Sequence, residues 1–112
     1  MSKSYSLKNV NELSGGDEDF INVLVQTFLE EIPPDIDSMV QAVNQDNPQM
    51  AYQYAHKMKP NLQLFDIDLQ KQIKQVESWS KDNKKKEEIL PIVEKIVKTV
   101  SKAISELKVD FA

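Results

Sequence analysis

Residues 49–65 read QMAYQYAHKMKPNLQLF and hold the only histidine of the 112-residue chain. Each residue of an α-helix turns by about 100°, so Ala51, Ala55, Met58, Leu62 and Phe65 share one apolar stripe. His56 projects roughly 140° from that stripe, and Lys59 and Gln63 fall within roughly 60° of the His56 direction. The stretch therefore reads as a helix that buries one edge and presents an imidazole, an ammonium and an amide together on another.

Working outward, NQDNP at 44–48 carries turn formers, and Asn47 fits an N-cap with Pro48 at the first helical position. Before it, Phe20, Ile21, Leu24, Val25, Phe28, Leu29 and Ile32 keep a helical rhythm. Asp17 is its expected N-cap, with Glu18 and Asp19 in the first turn at the positive end of the helix dipole. Pro33 and Pro34 each remove a backbone donor, yet Ile36, Met39, Val40 and Val43 resume the spacing, which predicts a kinked continuation. Leu7, Val10 and Leu13 predict a short first helix ended by Ser14, Gly15 and Gly16, with residues 1–6 polar and loose.

Beyond the opening stretch, Asp66 and Asp68 interrupt the pattern, and Ile67, Leu69, Ile73 and Val76 predict a further amphipathic helix running toward Trp79. SKDNKKKEE at 80–88 has no apolar residue and reads as a connection, its lysine run at 84–86 a solvated loop or helix start. A long last helix carries Ile89, Ile92, Val93, Ile96, Val97, Val100, Ala103, Ile104 and Leu107, with Pro91 tolerated near its start. Trp79 and the methionines are expected in the core.

No run alternates with period two, so the fold class is all-α. Four long amphipathic segments with short connections predict an antiparallel up-down-up-down four-helix bundle, the short N-terminal helix capping one end. The length suits a single domain spanning 1–112, its ordered helical core running from about residue 7 to residue 108.

Hydrophobic residues at 40% and only two glycines favour a folded chain over a disordered one. A net charge of −4, with no arginine in the chain, argues against nucleic-acid binding, which rewards clustered cations. Without cysteine there is neither a disulfide framework nor a thiolate metal site. No apolar run approaches the roughly 20 residues of a membrane span, and the N-terminus lacks the apolar core of a secretory signal. A cytoplasmic, monomeric protein with protein partners is expected.

The chemistry narrows by elimination. One histidine without a Glu-x-x-His pair cannot furnish a di-metal carboxylate site, since Gln53 stands where the glutamate would be. No serine lies near His56 and an exposed helix offers no oxyanion hole, which argues against triad hydrolysis. No phosphate-cradling glycine loop exists, so no ATP-binding or kinase activity and no cofactor are expected.

Two readings of His56 stay open at this point: a surface histidine without a role, or a nucleophile kept neutral by the cation at Lys59. Its neighbours at three and four residues' distance, Tyr52, Gln53, Lys59 and Pro60, include no carboxylate. Pro60 has no N–H to give the carbonyl of His56; it is either a tolerated kink on a solvent face or a functional feature.

The LSGGDEDFINVLVQTFLEEIP opening at 13–33, the Ala55-His56-Lys57-Met58-Lys59 helix and the lengths of the segments that follow resemble the histidine-containing phosphotransfer (HPt) domains of bacterial phosphorelays. The resemblance covers nearly the whole chain. The family motif is a histidine followed three residues later by lysine, usually then by glycine. It implies that His56 is the phosphoacceptor, that Lys59 stabilises the phosphoryl group, and that Pro60 occupies the glycine position through which a partner approaches closely. The implied partners are a response-regulator receiver domain, a hybrid sensor histidine kinase, or both, with Mg²⁺ held by the receiver. The implied role is that of a relay intermediate without enzymatic activity of its own; the alternative is an adaptor of the same fold that binds receivers or kinases without transfer. Gln63 and Gln53 are candidate phosphate or imidazole contacts on helix geometry, and Tyr52, Gln49 and Lys57 are candidate docking residues, with Met58 and Leu62 in the core.

Overall fold

Asp17 sits in an extended conformation and its carboxylate accepts from the backbone N–H groups of Asp19 and Phe20, at 3.0 and 3.4 Å. It thereby satisfies donors that a helix start leaves unpaired. The computed structural model describes residues 4–111, and among them all regular structure is helical. The elements are α1 (Lys8–Ser14), α2 (Glu18–Asn44), α3 (Pro48–Leu64), α4 (Gln70–Glu77) and α5 (Lys86–Asp110).

α2 runs without a break through Pro33 and Pro34, as the resumed apolar spacing predicts. Its 27 residues span about 40 Å at about 1.5 Å each, which accounts for most of the 45 Å long dimension of the molecule. α3 begins on Asn47, whose side chain accepts from the Met50 N–H at 3.2 Å. It then continues through Pro60 to Leu64.

α2 and α3 close in the same way. Asp46 and Asp66 adopt the left-handed conformation, with φ of 56° and 53°. Asn47 N–H returns to Ala42 O at 2.8 Å and Ile67 N–H to Leu62 O at 2.9 Å. Each closure caps carbonyls that the helix end would leave bare, with aspartate taking the place that glycine more often fills.

The anticipated helix after Phe65 is shorter than its apolar spacing suggested. Ile67 and Leu69 are buried from the connection ahead of α4, and Trp79 is buried in the turn behind it, its indole N–H donating to Lys84 O at 2.9 Å. Only eight residues between them are helical. Residues 86–88 form the first turn of α5, so the lysine run ends as the helix start that was one of its two readings, and the Glu88 carboxylate accepts from the Lys85 N–H at 2.8 Å.

α2 packs against α3 and α5, α4 packs against the same two helices, and α1 lies against α2. The buried apolar side chains form one core cluster drawn from all five elements and from the connections. At its centre Phe28 and Phe65 meet with ring centroids 4.8 Å apart, and Tyr5 meets Phe65 edge-on at 6.5 Å. Trp79, Met39 and Met58 are buried as expected, whereas Met50 is 37% exposed in the first turn of α3; Met1 lies outside the described residues.

The expectation of a loose N-terminus is corrected for residues 4–6, while residues 1–3 lie outside the described residues. Ser4 N–H donates to Glu106 at 2.7 Å and Ser6 N–H to Phe65 O at 2.8 Å. Tyr5 is buried and its hydroxyl donates to Asp110. Burial, followed by the Asp110 carboxylate, pushes the Tyr5 phenol above its ordinary range. A phenol held protonated in the folded state stabilises fully below its ordinary value near 10 and progressively less above it. The wild type is therefore expected to lose stability above about pH 10 more steeply than Tyr5→Phe, as read from paired urea titrations; identical slopes would refute this.

Candidate functional site

His56 lies mid-helix in α3, and its side chain is 61% exposed. Its Nδ1 stands 2.9 Å from Oε2 of Glu77, the last residue of α4. The Lys59 ammonium donates to the other oxygen, Oε1, at 3.1 Å. The Glu77 side chain is only 10% exposed, so one largely sheltered carboxylate links the imidazole and the ammonium. A carboxylate can only accept, so in the neutral imidazole the ring proton lies on Nδ1 and Nε2 keeps its lone pair.

Local helix geometry sets which side chains can meet here. Tyr52 and His56 are one turn apart on α3, a spacing that puts them on one face. Their rings stack with centroids 5.5 Å apart and planes 7° from parallel. His56 and Lys59 share the next turn. Glu77 lies one turn beyond Ile73, about 40° from it around α4, at the edge of the face that Ile73 and Val76 bury.

Two grooves flank this cluster. The first, of about 560 Å³, lies between α3 and α4 and brings His56, Lys59, Gln63 and Tyr52 together over a floor that includes Leu62 and Ile73. The second, of about 660 Å³, gathers Gln49, Gln53 and Tyr52 near the start of α3. Tyr52, Glu77 and Lys81 line both. Leu62 and Met58 are buried, as the apolar stripe required.

Lys57 and Pro60 line neither groove. Lys57 turns the other way and binds Asp35 of α2 at 3.1 Å. Asp35 is 4% exposed. Its hydrogen bond and charge raise the Lys57 ammonium above its ordinary value. Beside this pair Asn61 donates to Glu31 at 3.2 Å, so this side of α3 is tied to α2 by polar contacts.

Sequence reasoning missed Glu77. It lies 21 residues from His56 and outside the helical neighbours that local spacing tests. One signal was present, for Glu77 is the only carboxylate between Asp68 and Asp82. The Lys59 cation accordingly reaches the imidazole through an intervening carboxylate rather than alone. Among the described residues no three His, Cys, Asp or Glu side chains form a cluster suited to a metal ion, and no helix is long and apolar enough to cross a membrane. Comparisons of the chain with protein-family models, with curated proteins and with solved structures each return no match.

Proposed function

We propose that this protein is a phosphorelay intermediate of the HPt kind, which accepts a phosphoryl group on His56 from a receiver-domain aspartate and passes it to another receiver. The observation that carries the reading is the bond from Nδ1 to Glu77, which leaves Nε2 as the nucleophilic nitrogen on a side chain that is 61% exposed. With no matching family model, the proposal stands on this geometry and on the sequence resemblance.

The proposed architecture is the antiparallel four-helix bundle in one domain, with α1 across one end. Two ties support it. The Lys86 ammonium, at the start of α5, donates to the Asn44 carbonyl at the end of α2 at 2.7 Å. At the other end, the Asn9 amide on α1 donates to Gln63 O near the end of α3 at 3.0 Å.

The step asks little of this chain, because phosphoryl transfer rests chiefly on positioning and charge stabilisation. The Nε2 lone pair forms an N–P bond as the P–O bond to the receiver aspartate breaks, and the aspartate leaves as a carboxylate. The ring becomes cationic and keeps its proton on Nδ1, which donates a hydrogen bond to Glu77. The Lys59 ammonium offsets charge on the phosphoryl oxygens. The receiver supplies the acidic pocket and Mg²⁺. The partners are thus receiver domains, or a hybrid kinase that carries one, and the compartment is the cytoplasm.

The test is incubation with a phosphorylated receiver, or with a hybrid kinase and ATP, followed by an assay for acid-labile phosphate on the chain. Wild type is expected to take label; none across a panel of receivers would leave the non-transferring adaptor. Lys59→Ala is expected to fold and to transfer roughly tenfold to hundredfold more slowly, the size of one charge-assisted hydrogen bond. An unchanged rate in stopped-flow assays would remove the lysine from the mechanism. Pro60→Gly, which restores an N–H opposite the His56 carbonyl, is expected to transfer faster; an unchanged rate would show that proline does not restrict the approach.

A further inference from the structure

We propose that Tyr52 is a positioning residue for the imidazole of His56, and that with Glu77 it forms a two-sided clamp that aims Nε2 out of the surface. This rests on His56 being the phosphoacceptor. A histidine on an exposed helix is free to rotate about two side-chain torsions, and a mobile nucleophile spends little time aligned for in-line attack. Two independent contacts remove that freedom. The bond from Nδ1 to Glu77 fixes which ring edge faces α4. The Tyr52 ring, 5.5 Å away and 7° from parallel, covers one imidazole face and fixes the ring plane. That separation is within the range over which aromatic pairs attract.

The two contacts differ in what they allow. An electrophile must reach Nε2 in the plane of the ring, and a stacked neighbour leaves that edge open. As the N–P bond forms, the imidazole gains positive charge, and a cation over an aromatic face is stabilised by its quadrupole. Tyr52 therefore favours the charged ring formed on transfer over the neutral ring before it. Its place between the two grooves gives it a second consequence. A partner seated in either one meets the tyrosine, which is 44% exposed and so remains accessible.

The test pairs Tyr52→Leu, which keeps bulk but loses the aromatic face, with Tyr52→Phe, which keeps it. In the unphosphorylated protein the His56 ring protons are expected to carry an upfield ring-current shift that Tyr52→Phe retains and Tyr52→Leu loses. In single-turnover transfer from a phosphorylated receiver, Tyr52→Leu is expected to lower the limiting rate constant about three- to tenfold, with the half-saturating receiver concentration unchanged. Tyr52→Phe is expected to restore the rate. A raised half-saturating concentration at an unchanged limiting rate would make Tyr52 a docking contact and overturn the positioning role. Equal rates for wild type and Tyr52→Leu would overturn it while leaving His56 as acceptor. A wild type that takes no label would overturn the assignment of His56, and the clamp with it.

Discussion

His56→Gln is expected to carry no acid-labile phosphate after incubation with any phosphorylated receiver that labels the wild type. The chain has one histidine, so no second imidazole can take over. Glutamine keeps a polar side chain of similar reach, but its amide nitrogen has no free lone pair with which to attack phosphorus. The fold should survive the change. The His56 side chain is 61% exposed, and its one hydrogen bond, to Glu77, is replaceable by the glutamine amide, which also donates. Unfolding free energy is therefore expected within about 1 kcal/mol of wild type, the usual scale for a surface contact. Loss of label with an unchanged urea midpoint is the full expected pattern, and label retained on the variant would sink the site assignment.

Phe65→Ala is expected to cost about 3–5 kcal/mol of stability, as large-to-small changes of buried aromatics do. Phe65 is fully buried, its ring packs between Phe28 and Tyr5, and its carbonyl accepts from the Ser6 N–H at 2.8 Å. Truncation would open a void where three segments meet: residues 4–6, which form an N-terminal strap, α2 and the end of α3. Domains are commonly stable by only about 5–15 kcal/mol, so the variant should unfold at a much lower urea concentration. Because the strap hangs on this ring, amide exchange at Tyr5 and Ser6 should accelerate along with global unfolding. A loss below about 1 kcal/mol would place the residue among ordinary surface sites rather than in the core.

Much of the fold was legible because helix formation here is written in local rules. Asp17 and Asn47 accept from backbone donors within three residues of themselves, and both helix starts fall where those caps predict. The apolar stripe Ala51, Ala55, Met58, Leu62 and Phe65 is wholly buried. The helix around Trp79 was misjudged for a different reason. An apolar residue can be buried from a loop as well as from a helix, and Ile67, Leu69 and Trp79 all are. The N-terminal strap was missed because residues 4–6 acquire order only through partners that include Glu106 and Asp110, at the far end of the chain.

The sequence by itself determined that the chain is helical, which edge of α3 is buried, and that His56, Lys59 and Gln63 share another edge, since a helix of fixed turn decides those directions whatever packs around it. Only the tertiary structure decided that Glu77 reaches both His56 and Lys59 and that Lys57 turns to Asp35. These contacts join residues more than 15 apart in sequence, and they exist because α4 and α2 both pack against α3. Local periodicity is silent about which neighbour a helix will meet.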